Sequence, residues 1–172
     1  NMAIKKSERF TYLGSCISDD GKSTTEIKCR IGKAGAAFGK MFNVWTSKKI
    51  DLKTKLNIYH TTVTSILLYG CETWKIYADE RNKINEFHRK CLRKMLGIKW
   101  QEKITNEEVM RRTHEREMME VVTERRMRWF GHVIRMKDER VPKRVMEWCP
   151  TGKRNRGRQK LSWREQVKRD LK

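Results

Sequence analysis

Thr24-Thr25-Glu26-Ile27-Lys28-Cys29-Arg30-Ile31-Gly32-Lys33-Ala34-Gly35-Ala36-Ala37-Phe38-Gly39-Lys40-Met41 carries the pattern that decides the fold. Ile27, Ile31, Ala34, Phe38, Met41 and Trp45 recur at alternating steps of four and three, which lines one face of a helix. Ser23 and Glu26 have the spacing of a capping box at its start. The stripe reads as a core face, and its glycines and alanines permit another backbone to come close, whether a neighbouring helix or a nucleic-acid strand. Lys28, Lys33 and Lys40 lie off the stripe, open to phosphate or to water.

Working outward, Asp51 is placed to cap a second helix on which Leu52, Leu56, Tyr59, Val63 and Ile66 repeat the spacing up to Gly70. A third helix, about 79–96, presents Ile84, Phe87, Cys91 and Met95 and stops at Gly97. Toward the N-terminus, residues 9–17 are rich in aromatic and β-branched side chains and run into Ser18-Asp19-Asp20-Gly21, a short strand and its turn. Thr105 and Glu108 repeat the capping-box spacing, and Met118, Val122, Arg125, Trp129, His132 and Met136 suggest a helix broken or kinked near Gly131. Pro142 and Pro150 punctuate the stretch after it. Thr151–Lys160 is polar, basic and Gly-containing, so it reads as a linker or flexible arm. Ser162 and Glu165 would cap a short last helix carrying Trp163, Val167 and Leu171. The fold class is therefore mainly α: a helical bundle preceded by a short β-strand or hairpin, with a basic C-terminal arm and a short terminal helix.

The formal charge is +20 over 172 residues, with a pI near 10.1. Self-repulsion on that scale calls for an anionic partner. Residues 151–172 hold nine basic side chains against two acidic ones, too lopsided for a balanced solvated surface. Just upstream, Arg125, Arg126, Arg128, Trp129, His132 and Arg135 interleave guanidinium groups with rings, which suits a partner both polyanionic and stacked; nucleic acid is the commonest. With Lys153, Arg154, Arg156, Arg158, Lys160 and Trp163 they form the candidate nucleic-acid-binding set. An alternative reading makes Trp129 and Phe130 core residues with the arginines as their solvated flank.

Five scattered cysteines do not form a secreted disulfide framework, so a reducing, intracellular setting is expected. No apolar run approaches a membrane span, and Asn1-Met2 reads as a fragment start. No metal site is expected: His88-x-x-Cys91 with distant Cys71 lacks a Cys-x-x-Cys, and Cys91 falls on an apolar face. No catalytic residues stand out, since neither a Gly-x-Ser-x-Gly nor a matched Cys–His arrangement occurs.

Several segments, taken in order, resemble one family. Phe10-x-Tyr12-Leu13-Gly14, Arg30-Ile31-Gly32-Lys33-Ala34, Leu67-Leu68-Tyr69-Gly70-x-Glu72-x-Trp74, Cys91-Leu92-Arg93-x-x-Leu96-Gly97-Ile98, Arg128-Trp129-Phe130-Gly131-His132-Val133-x-Arg135-Met136 and Arg156-Gly157-Arg158-x-x-x-x-Trp163 are similar to the C-terminal part of non-LTR (LINE-like) retrotransposon reverse transcriptases. The resemblance implies a division into the end of the palm (1–22), a helical thumb (23–100), a post-thumb region (101–150) and a basic arm with a short helix (151–172). It implies that Tyr12, Leu13 and Gly14 belong to a hairpin that helps hold the primer. Fingers and palm would lie upstream in the parent polyprotein, whose catalysis uses Mg²⁺; no cofactor is expected in this chain.

Asp19-Asp20 follows the Tyr-Leu-Gly segment instead of preceding it, so it reads as a turn and not as the family's metal-binding pair. The chain alone is thus expected not to be an enzyme. It is expected to grip template–primer or element RNA within a nuclear or cytoplasmic ribonucleoprotein, with RNA, DNA or a hybrid as partner and no membrane. The alternative is a retroelement-derived, non-enzymatic module for RNA or DNA binding or for protein docking.

Overall fold

The computed structural model describes residues 7–148 and 162–171. It is mainly helical, with one antiparallel hairpin at the start, as the periodicity predicts. Strands β1 (Arg9–Tyr12) and β2 (Ser15–Ser18) pair with Tyr12 opposite Ser15 and Arg9 opposite Ser18. The single strand expected over 9–17 is therefore folded in two at Leu13-Gly14, where both residues have positive φ, 47° and 82°. A two-residue loop of that kind matches the twist of its strands, but a leucine there carries a steric cost. Three contacts to the turn offset it: Tyr69 Oη donates to the Leu13 carbonyl at 3.0 Å, and Arg30 and Lys33 donate to the Gly14 carbonyl at 2.6 and 3.3 Å.

Helix α1 (Thr24–Lys40) forms as the stripe predicts, but its capping box does not. Ser23 Oγ instead accepts from the Lys75 amide at 2.9 Å. Glu26 turns away to accept from the Cys16 amide and, at 2.7 Å, from Arg30 Nε. Both members of this Glu26–Arg30 pair are buried, and together they fasten the hairpin to α1.

The stripe's last member lies beyond a break at Met41, on the short α2 (Phe42–Thr46). Trp45 folds back so that its indole stacks on Phe38 with centroids 4.8 Å apart and its Nε1 donates to the Phe38 carbonyl at 2.7 Å. Asp51 caps α3 (Leu52–Ile58), accepting from the Thr54 amide at 3.2 Å.

The helix then widens into a π-helical segment, Tyr59–Thr64, before α4 (Ser65–Leu67). Hydroxyls line the widened stretch. Thr61 and Thr62 donate back to the carbonyls of Asn57 and Ile58, and Ser65 to those of Thr61 and Thr62, competing with the ordinary helical bonds. Leu67, four residues after Val63, and Leu68 are fully buried, while Ile66, to which the spacing pointed, packs partly buried against the core.

A 3₁₀ turn (Cys71–Thr73) leads to α5 (Ala78–Leu96), which ends on Gly97 at φ 70° as expected. Thr105 caps α6 (Asn106–Thr113) by accepting from the Glu108 amide. The Glu108 carboxylate, however, pairs with Arg111 and Arg112 in place of closing a box. Helix α7 (Met118–Ile134) is continuous through Gly131, so no break occurs there. A side chain at 131 would come 3.2 Å from the Arg135 guanidinium, and glycine keeps that space open within a continuous helix.

Short α8 (Val141–Glu147) and α9 (Trp163–Asp170) complete the described chain. Ser162 caps α9 as expected, by accepting from the Glu165 amide at 3.1 Å. One apolar cluster joins Ile27 and Ala34 of α1, Tyr59 and Val63, Ile84 and Leu92 of α5, Val109 of α6, and Met118 and Val122 of α7. Among the described residues no helix is long and apolar enough to cross a membrane.

Two histidines give the fold opposed pH terms. His88 is fully buried, with Nδ1 2.9 Å from Tyr59 Oη and Nε2 without a hydrogen-bond partner among the described residues. Burial pushes its pKa down to about 4. That stability is present above the unfolded value near 6.5 and is lost as pH falls toward the folded one; the shift corresponds to about 3 kcal/mol. His60, hydrogen-bonded to Glu115 at 2.8 Å, has its pKa raised by that bond. Its contribution is full below the unfolded value and is lost as pH rises through the folded one. Urea unfolding of His88→Asn between pH 7 and pH 4 should therefore lose less stability over the interval than wild type does. An unchanged acid limb would remove His88 from the account.

Candidate nucleic-acid interface

On α7 the interleaved sequence divides by face. Met119, Val122, Arg126 and Val133 point inward and are buried, while Arg125, Arg128, Trp129, His132 and Arg135 share the other side at steps of three and four. Those five line a single open cleft of about 830 Å³, closed opposite by Glu72 and Thr73 of the 3₁₀ turn. The turn is positioned because Cys71, Trp74 and Ile76 around it are buried.

Within the cleft, Trp129 and His132 lie 5.5 Å apart, centroid to centroid, and tilted. Arg128 shares the Glu124 carboxylate with Arg116, each at 2.6 Å, and those two cations lower the Glu124 pKa. Arg125 reaches the Leu68 carbonyl only at 3.5 Å, a contact at the edge of hydrogen-bonding range. Arg135 has no ion pair among the described residues. Among the described residues Glu72 is the one carboxylate on the lining, so the cleft presents a net positive, ring-bearing surface.

Two members of the sequence-derived set lie off this lining. Arg126 is fully buried, not a surface contact: it ion-pairs with Asp170 of α9 and donates to the Trp74 carbonyl at 3.2 Å. One position along a helix turns a side chain by about 100°, enough to separate Arg126 from Arg125. Its place in the series Met119, Val122, Arg126, Val133 was the available signal. Trp163 is half-buried and tethered, with Nε1 donating to the Glu72 carbonyl at 2.8 Å and its ring 6.2 Å from Phe130, so it packs α9.

Lys153, Arg154, Arg156, Arg158 and Lys160 lie outside the described residues. Tyr12, Leu13 and Gly14 sit at the exposed tip of the hairpin and line no part of the cleft. Asp19-Asp20 occupies the turn after β2, where Asp20 accepts from Ser18 Oγ and the Lys22 amide. Cys71 and Cys91 are buried thiols with pKa values pushed up to about 12 by burial, and His88 is directed at Tyr59. Among the described residues no group of three or more His, Cys, Asp or Glu side chains is arranged to hold a metal ion. The sequence pattern missed the contributions of Glu72 and Thr73, which reach the cleft through the tertiary fold alone.

Comparison with known proteins finds a family and a relative. A family described as a domain of unknown function, DUF6451, matches residues 37–69, from the end of α1 through α4. Over 169 residues the chain is 27% identical to a putative uncharacterized transposon-derived protein of Caenorhabditis elegans, covering 95% of this chain and 60% of that protein. The chain thus spans about three-fifths of that relative's length. No solved structure matches. The similarity points to a transposon origin and agrees at that level with the resemblance carried by the sequence motifs.

Removing one partner of a buried ion pair leaves the other charged and unsolvated, at a cost of about 3–5 kcal/mol. Arg126→Ala should therefore lower the thermal midpoint strongly, whereas Arg135→Ala should leave it nearly unchanged. Equal, small effects in the two variants, read by differential scanning calorimetry, would mean that Arg126 does not anchor α9.

Proposed function

We propose that this chain is the thumb and C-terminal region of a retrotransposon reverse transcriptase, and that it binds nucleic acid through the α7 cleft and the basic segment 151–160. One observation carries the reading: the fold gathers Arg125, Arg128, Trp129, His132 and Arg135 on one surface of a chain with charge +20. Guanidinium groups take phosphates and 2′-hydroxyls, the rings take bases, and neither demands a particular sequence. The transposon-derived relative supports the element class, and the ordered series of motifs supports the polymerase assignment.

In the parent protein the grip would serve RNA-directed DNA synthesis or hold element RNA in a ribonucleoprotein. Catalytic carboxylates, fingers and Mg²⁺ would come from the upstream palm. The chain by itself is proposed to be non-catalytic.

Titration of labelled RNA–DNA hybrid across a salt series tests the grip. Each phosphate contact contributes about −0.9 to the log–log slope on duplex, or about −0.7 on single strands. Replacing Arg125, Arg128 and Arg135 together by Ala should flatten the slope by roughly two to three. Replacing Lys153, Arg154, Arg156, Arg158 and Lys160 should flatten it further and independently. An unchanged slope in both variants would place binding elsewhere on the protein.

Primer extension by the purified chain with Mg²⁺ or Mn²⁺ and all four nucleotides should give no product. Extension that is lost in Asp19→Ala or Asp20→Ala would overturn the non-catalytic assignment.

A further inference from the structure

Beside the cationic cleft runs a second depression, and Trp129 lines both. This groove, of about 490 Å³, lies between α7, α8 and the start of α9; Val133, Val141, Val145, Met146 and Trp148 supply much of its wall. Helix α8 buries none of its residues, and Val141, Val145 and Trp148 are 68%, 64% and 67% exposed. Apolar side chains so exposed on a charged chain mark a binding surface.

The charges around the groove identify its occupant. Arg164 lines it, Arg144 and Trp148 line the depression next to it, and Arg128 and Arg135 line the adjoining cleft with Trp129. Arg135, Arg144 and Arg164 have no carboxylate partner among the described residues, and Glu147 is the acidic side chain close by. An apolar peptide would fill the slot yet leave these cations unmatched. A nucleotide matches both halves at once, since its base is flat and apolar-faced and its phosphate lies a short bond path away.

We propose that the groove is a base-binding slot that selects unpaired nucleotides. The strand's phosphates run along Arg128 and Arg135 while one base turns past Trp129 to stack against Trp148. A duplex holds its bases inside the stack and must unpair to offer one, so it engages the cationic cleft alone. The inference rests on the nucleic-acid reading above and adds to it a preference for single strands.

The test uses the full chain at low salt with three labelled probes of about twelve nucleotides, a length within the site size of single-strand binders. They are oligothymidylate, an abasic sugar–phosphate strand of equal charge, and a blunt duplex. Oligothymidylate should bind more tightly than the abasic strand by about 5- to 150-fold, the range expected for stacking one base. Trp148→Ala, at an exposed position, should bring that ratio close to one while leaving abasic affinity unchanged. Arg135→Ala should weaken both strands alike.

Binding that ignores the presence of bases, or a ratio that survives both Trp148→Ala and Val145→Arg, would overturn the slot while leaving the cationic interface intact. Failure of every probe to bind at low salt would overturn the interface and the slot together.

Discussion

A single guanidinium organises the C-terminal half. Arg126 sits at zero exposure between α7, the connector at Trp74 and Asp170 of α9, and no apolar side chain there would recruit all three. The Ile76 amide, donating to Gln166 Oε1, and the Trp163 indole, donating to the Glu72 carbonyl, extend the same junction. Its geometry sets which side of α7 turns outward and brings Glu72 and Thr73 opposite the exposed arginines. A buried ion pair is not an efficient source of stability, but it is intolerant of misalignment. That intolerance fixes the walls of the cleft.

Several acidic residues are used inside, where they tie elements together. Glu26 serves the hairpin, Asp170 serves Arg126, and Glu80 accepts from Thr24 Oγ1 and from the Tyr77 amide. Glu26 and Asp170 each take an arginine inside with them, Arg30 and Arg126, so these buried pairs leave the surface balance of charge unchanged. Electrostatic attraction for a polyanion follows instead from the excess of basic side chains in the composition.

The sequence revealed what local periodicity and end chemistry determine. Helices with a single dominant stripe, such as α1 and α5, and caps such as Asp51, Thr105 and Ser162 were legible, because neighbours three or four residues away decide them. The Ser23–Glu26 box was not, since both side chains found partners on other elements, at Lys75 and at Cys16 and Arg30. Five members of the α7 set could be read because they repeat along one helix. Arg126 and Trp163 could not, because their partners lie 44 and 91 residues away in the chain. The two-residue turn at Leu13 was hidden for a different reason: leucine is a poor residue for positive φ, and only tertiary hydrogen bonds hold it there.

The π-helical segment at Tyr59–Thr64 works as a phase shifter. An ordinary helix would carry the Lys55–Tyr59–Val63 face on to Leu67, whereas the wider turn brings Leu68 to the core as well. Tyr69 then faces outward at a point where its hydroxyl reaches the Leu13 carbonyl and its ring lies 4.4 Å beneath the Arg30 guanidinium. The seat of the hairpin is thus set by the reading frame of a helix about fifty residues downstream in the chain. In evolutionary terms the segment is an indel-sensitive point of registration: a residue gained or lost between Ile58 and Ser65 would misplace everything after it, even with the buried side chains of Tyr59 and Val63 kept.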